Sequence, residues 1–259
     1  MPVTKSLHFS WYELMANDVP KALAFYRQVF GWNTADAGGP PGSYTLIKVA
    51  DQAIGGALAL TPDMCAAGAR PGWIGYIGVP DVAAKLAELV AAGGKVLRPV
   101  QEIPGMIRFA VVADPQGAAF VLYRGLVEGV TMPVLPQAAI GGVGWHELHA
   151  GHGGEAWEFY SKLFGWTKDM AVDMGAVGTY QTWAAGGAAL GGMMTKMPQT
   201  PAPFWLFYVN VDSAEAAIER VKRGGGSLIH GPTQVPGGSW IANCLDPEGA
   251  IFALVSQRQ

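Results

Sequence analysis

The sequence predicts an α+β protein made of two consecutive copies of one domain, each copy holding two βαβββ units. Three observations lead there. The set Trp11, Glu13, Leu14, Phe25, Tyr26, Phe30, Gly31, Trp32 recurs 134 positions later as Trp145, Glu147, Leu148, Phe159, Tyr160, Phe164, Gly165, Trp166. Later pairs follow after small insertions: Tyr44 with Tyr180, Ile54-Gly55-Gly56 with Leu190-Gly191-Gly192, Trp73 with Trp205, Tyr76 with Tyr208, and Asp114-Pro115-x-Gly117 with Asp246-Pro247-x-Gly249. Within each copy, two-residue periodicity alternates with one helical stretch per unit. A repeat of this length is a domain rather than a solenoid unit, which runs roughly 20 to 50 residues. The expected boundaries are 1–126 for the first domain, 127–141 for a linker and 142–259 for the second.

Leu7 to Met15 reads as a strand. Asp18 then caps a helix that tolerates Pro20 in its first turn, buries Leu23, Tyr26 and Phe30 on one face and stops at Gly31. Tyr44 to Val49 and Ala53 to Leu60 form a hairpin turning at Asp51-Gln52. Trp73 to Val79 is a strand, and a helix carries Val82, Leu86, Leu89 and Val90 up to Gly93-Gly94. Ile107 to Val112 and Ala119 to Tyr123 flank the Asp-Pro-x-Gly turn, with one short strand per unit left unassigned. The second copy runs likewise: Trp145 to His149, a helix to Phe164, a hairpin at Gly186-Gly187, then Trp205 to Val211. Ser213 caps a helix with Ala214, Ile218 and Val221 on one face, ending at Gly224-Gly225-Gly226. Pro133, Pro136 and Gly141-Gly142 break periodicity at the joint.

Half of the 259 residues are hydrophobic and 14% are charged, enough apolar material for two cores. A net charge of −3 and a pI near 5.9 argue against nucleic acid or an anionic membrane as partner. No apolar run reaches the roughly 20 residues of a membrane span, and the first residues lack a leader pattern, so a cytoplasmic protein is expected. Cys65 and Cys244 do not match in the repeats and read as small buried hydrophobes. Gly38 to Gly42 is a loop without the Lys-Ser/Thr of a phosphate cradle, and no cofactor is expected. Met193, Met194 and Met197 read as core packing.

In order and double occurrence, Asp18, Phe25-Tyr26, Phe30-Gly31-Trp32 and the two Asp-Pro-x-Gly turns resemble the vicinal oxygen chelate superfamily, which includes glyoxalase I, bleomycin-resistance proteins and extradiol dioxygenases. The resemblance covers nearly the whole chain and implies two glyoxalase-like domains with cup-shaped mixed sheets. It also implies a divalent metal held by four strands in the metal-using members. Mapped by spacing, those ligand positions hold Trp11 and Trp145, Ile74 and Leu206, and Val121 and Ala253, while no carboxylate or His follows Gly55 or Gly191 on the hairpin strand. No metal is expected, because apolar side chains cannot offset the dehydration of a cation.

Alternation then places Glu13 beside Trp11, and Glu147 and His149 beside Trp145, on the cup-facing side, with Tyr76, Tyr208, Asn210 and Tyr123 inward from the other strands. Glu13 and Glu147 are either general bases with raised pKa or structural carboxylates. Tyr76 and Tyr208 are either donors to a ligand or core aromatics, and Trp11 and Trp145 either stacking walls or plugs. His146 and His152 default to the surface; His149 is the exception, since it shares a face with Glu147 and the pair could shuttle a proton. The expected ligand is a small apolar or aromatic molecule, with a homodimer left open. Three functions remain: a metal-independent lyase, isomerase or hydroxylase-type enzyme, a non-catalytic sequestering protein, and a metal-dependent lactoylglutathione lyase or dioxygenase.

Overall fold

The computed structural model describes residues 7–38, 42–127 and 135–259. Residues 1–6, the centre of the Gly38 to Gly42 loop (39–41) and residues 128–134 of the expected linker, Pro133 among them, lie outside the described residues. The first repeat runs β1 (Phe9–Ala16), α1 (Val19–Phe30), β2 (Asn33–Asp36), β3 (Thr45–Val49), β4 (Gln52–Ala59), α2 (Pro62–Ala66), β5 (Gly72–Gly78), α3 (Val82–Ala91), β6 (Lys95–Ile103), β7 (Ile107–Ala113) and β8 (Ala119–Gly125). The second runs β9 (Val143–Ala150), α4 (Gly153–Phe164), β10 (Thr167–Asp173), β11 (Thr179–Ala184), β12 (Ala189–Thr195), β13 (Phe204–Asn210), α5 (Ala214–Arg223), β14 (Ser227–Gln234), β15 (Trp240–Leu245) and β16 (Ile251–Ser256).

Each repeat forms one eight-stranded sheet, ordered β2-β3-β4-β1-β5-β8-β7-β6 and β10-β11-β12-β9-β13-β16-β15-β14. This is the expected duplicated α+β fold, with β1 parallel to β4 and β9 parallel to β12. The strands left unassigned are β2, β6, β10 and β14. They are edge strands, and β6 is exposed along its whole length, so neither face has to alternate and the period-2 signal is absent.

The helices form where their ends are satisfied. Asp18 accepts the Lys21 N–H at 3.0 Å, Asp81 that of Ala84 and Ser213 that of Ala216. Gly31 and Gly165 close α1 and α4 with φ of 72° and 70°, a conformation in which a Cβ would be strained. His152, at the position of Asp18, caps α4 by accepting the Glu155 N–H at Nδ1, a use of the ring that no spacing argument suggested. The β3–β4 turn is Ala50-Asp51, one residue earlier than expected.

Packing groups the chain into two compact units that cut across the repeats. One comprises Met1–Trp11, Ile74–Met132 and His146–Trp205; the other comprises Tyr12–Trp73, Pro133–Trp145 and Leu206–Gln259. In the second unit the apolar faces of α1 (Ala22, Phe25, Tyr26, Val29) and α5 (Ala217, Ile218, Val221) share a core with Leu14, Ile47, Val209, Phe252 and Leu254. In the first unit Phe120, Tyr160, Phe164, Trp166, Trp183 and Trp205 pack as a run of ring contacts.

The repeated motifs are buried polar links inside these units. In the first unit Trp205 Nε1 donates to the Tyr160 hydroxyl at 3.1 Å, and that hydroxyl donates to Asp114 Oδ2 at 3.1 Å. Asp114 Oδ1 meanwhile accepts the backbone N–H groups of Gln116, Gly117 and Ala118. In the second unit Trp73, Tyr26 and Asp246 repeat the chain at 2.9 and 3.0 Å. Each Phe-Tyr motif is thus answered by the Asp-Pro-x-Gly turn of the other repeat. Burial pushes both phenols well above their ordinary value, so each remains a donor. The two Phe-Gly-Trp indoles act alike: Trp166 donates to the Leu7 carbonyl and Trp32 to that of Gly141.

His146 and Cys65 depart from expectation. Cys65 is exposed, and only Cys244 is a buried hydrophobe. His146, expected at the surface, is 4% exposed, stacks on Phe9 at 5.2 Å and donates Nδ1–H to the Leu190 carbonyl at 2.7 Å. Strand alternation sends His146 to the face opposite Glu147, and here that face is packed. Desolvation pulls its pKa from 6.5 down to about 4. The native state therefore prefers the neutral ring, a contribution complete above about pH 6.5 and lost as pH falls toward 4. At about 1.4 kcal/mol per unit, the shift amounts to about 3 kcal/mol. Asp114, raised by burial, works in the opposite sense over the acid range. Stability measured by urea unfolding is expected to fall as pH drops through that window in the parent, and His146→Gln, which keeps a donor for Leu190, is expected to flatten the profile.

Candidate functional site

A cluster of chemically capable groups lies in the first unit, on β9, β11, β12 and the start of β13. Glu147 and His149, two apart on β9, share a side of the strand. Glu147 Oε1 is 2.8 Å from His149 Nε2, with the side chains 11% and 13% exposed. Glu147 Oε2 accepts the Tyr180 hydroxyl at 3.0 Å. The His149 ring lies flat on Phe204, centroids 4.6 Å apart and planes within 3°.

Neither ring nitrogen of His149 makes a hydrogen bond, although both are shut off from solvent. The short Nε2–Oε1 approach is therefore a close polar contact lacking the direction of a hydrogen bond; distance and orientation disagree, and orientation decides the bond. An unmade bond on a dry polar atom costs about 1–3 kcal/mol. The site is preassembled and incompletely satisfied.

Glycine makes this geometry possible. Gly192 stands opposite Glu147 in the β12–β9 register, and a Cβ there would come within 2.2 Å of Tyr180 Cζ. The phenol crosses the strand through that notch to reach the carboxylate. In the second unit Tyr44 lies across Gly56 in the same way, and Gly56 stands opposite Glu13, which is buried. Tyr44 and Tyr180 were missing from the expected site residues, although the repeat matches them and their Gly-Gly partners. The signal was a phenol and a glycine recurring together, and only the register shows why.

The other expected residues divide between the two units, Trp11, Tyr76 and Tyr123 in the first and Trp145, Tyr208 and Asn210 in the second. Tyr76 is buried in the first unit with its ring 5.9 Å from Tyr123, whose hydroxyl is 2.8 Å from Ser10 Oγ. Burial raises the Tyr123 pKa, so its phenol stays protonated. Trp11 is buried in that unit too. Tyr208, buried, and Trp145, half-buried, belong to the second unit, as does Asn210. Asn210 Nδ2 donates to the carbonyls of Gln137, Ala139 and Gly142, holding the segment that leads into β9.

A divalent cation does not fit the residues present. Ile74, Leu206, Val121 and Ala253 are buried apolar side chains at the mapped ligand positions. Among the described residues, no three His, Cys, Asp or Glu side chains converge. Glu147 and His149 supply two donors, short of the three protein ligands that catalytic zinc sites use. Among the described residues no helix is long and apolar enough to cross a membrane.

The family model described as Glyoxalase/Bleomycin resistance protein/Dioxygenase superfamily matches residues 8–122 and 142–254, once per repeat. A Mycobacterium tuberculosis protein named "Putative glyoxylase CFP32" is 32% identical over 250 residues, covering 95% of this chain and 93% of the relative. The Streptomyces peucetius "Anthracycline biosynthesis protein DnrV" is 31% identical over 266 residues, covering 96% and 93%. Two solved structures share the fold with TM-score 0.67 and 15% identity. They are the Mn(II)-bound glyoxalase from Novosphingobium aromaticivorans, covering 98% of this chain and 83% of that one, and the 2,3-dioxygenase LapB from a Pseudomonas species, covering 98% and 93%.

Proposed function

The chain belongs to the glyoxalase/bleomycin resistance protein/dioxygenase superfamily, and on that footing we propose that it is a metal-independent enzyme acting on a small aromatic or apolar molecule, with Glu147 as the general base. The observation that carries this reading is the buried Glu147 carboxylate held between Tyr180 and His149, whose own nitrogens make no hydrogen bond. A carboxylate in that setting takes a proton from a hydroxyl or an activated carbon of the ligand, Tyr180 steadies the charge that shifts, and His149 carries the proton onward. Phe204 orients the imidazole by stacking. Anthracyclines are fused-ring phenols and quinones, so the name of the Streptomyces relative supports an aromatic ligand.

The test is a thermal-shift screen of fused-ring phenols and quinones, followed by mass spectrometry of incubated hits for product. Turnover in protein stripped by a chelator, unchanged on adding Ni, Zn, Mn or Fe, is the expected result. Binding without product would make the protein a sequestering one. About one equivalent of metal retained through dialysis, with turnover lost on chelation, would overturn metal independence.

A further inference from the structure

The second unit holds a partly open apolar hollow of about 20 Å³ on the face of the sheet away from Glu13, lined by Tyr12, Trp32, Ile47, Gly55, Trp73 and Phe252 among others. The internal repeat supplies its counterpart. Ile47 corresponds to Trp183 (both three after the matched Tyr44 and Tyr180), Trp32 to Trp166 and Gly55 to Gly191. In the first unit the Trp183 indole is fully buried, stacks on Trp166 at 3.8 Å and 8°, and lies so close over Gly191 that a Cβ there would meet its Nε1 at 2.7 Å. The shorter, branched Ile47 stands in that place in the second unit, and a hollow remains between Trp32 and the glycine.

The lining decides what the hollow takes. Tyr26 reaches it, but the Tyr26 hydroxyl is already committed to Trp73 and Asp246. A buried water needs two to four polar partners, and an apolar cavity without them stays dry. A ring does not enter: the engineered apolar cavity known to accept benzene measures about 150 Å³.

We propose that this cavity is a binding site for a compact apolar molecule of one or two heavy atoms, the class of dioxygen and xenon, held by dispersion against Trp32. No bond is made or broken; the site takes up and releases its guest reversibly. The Glu147 site belongs to the other unit, and neither proposal depends on the other.

Crystals of the full chain pressurised with xenon test it. The expected result is an anomalous peak beside Ile47, Trp32 and Gly55, absent in crystals of Ile47→Phe and of Ile47→Met, two substitutions that fill the space by different routes. If either variant fails to fold, the other carries the comparison, and ¹²⁹Xe NMR in solution reads the same loss. Ordered water in the cavity, no peak there, or a peak that persists in a folded variant would each overturn the proposal.

Discussion

Glu147→Gln is expected to leave a folded protein whose turnover of its aromatic ligand falls by about 10²–10⁴-fold, the range typical of removing a positioned general base. Affinity is expected to change by less than about tenfold, about 1.4 kcal/mol. The amide keeps the size of the carboxylate and still accepts the Tyr180 hydroxyl bond through its oxygen, but it cannot take a proton for His149 to pass on. Glu13→Gln tests the repeat directly. Glu13 faces Gly56 as Glu147 faces Gly192, yet the residue two further on is Met15 instead of His149. A proton relay through the Glu147–His149 pair predicts that Glu147→Gln causes this loss of turnover and Glu13→Gln does not. Equal losses in both would place the chemistry elsewhere.

The largest stability effect is expected at Gly191→Ala. A Cβ there would lie 2.1 Å from the His146 carbonyl oxygen, and backbone on a central parallel strand has no side-chain freedom with which to yield. Overpacking a core costs typically 1–3 kcal/mol, and a clash with the backbone itself belongs at or above the top of that range. Gly192→Ala differs in kind. Its Cβ would meet the Tyr180 ring, which can swing away. That variant is expected to fold with a smaller loss of stability while Tyr180 releases Glu147, lowering turnover more than Tyr180→Phe does. Chemical denaturation of the two alanine variants, read beside their activity, separates the glycine that fits the strands together from the glycine that builds the site. An equally stable Gly191→Ala would show that the strands part more easily than their register implies.

The fold was legible because its signals are local and doubled. Asp18 and Gly31 bound α1, Ser213 opens α5, and alternation on β1 and β9 puts Leu14 and Leu148 in the core. Glu147 and His149 could be placed on one face for the same reason, since strand geometry fixes the side of every second residue. The edge strands β2, β6, β10 and β14 escaped because an exposed strand needs no apolar alternation. His146 was misplaced because polarity was read as exposure, whereas one bond to Leu190 and a stack on Phe9 suffice to bury a neutral imidazole.

The partnership of the motifs lay beyond one-dimensional reading. Repetition identifies Tyr26, Asp114, Tyr160 and Asp246 as matched pairs, and nothing along the chain says that Tyr26 answers Asp246 and Tyr160 answers Asp114. A repeated motif can satisfy its own copy or the other one with the same local geometry, so propensity and spacing are silent. The choice falls to tertiary packing, where a buried phenol and carboxylate must find each other or lose a hydrogen bond apiece. The same packing brought Tyr180 across Gly192 to Glu147 and left Ile47 too short to occupy the place that Trp183 fills. Elements, their order and their buried faces were written in the chain because each depends on a few neighbours in sequence. Which distant groups meet was decided by close packing, where every side chain's room depends on all the others.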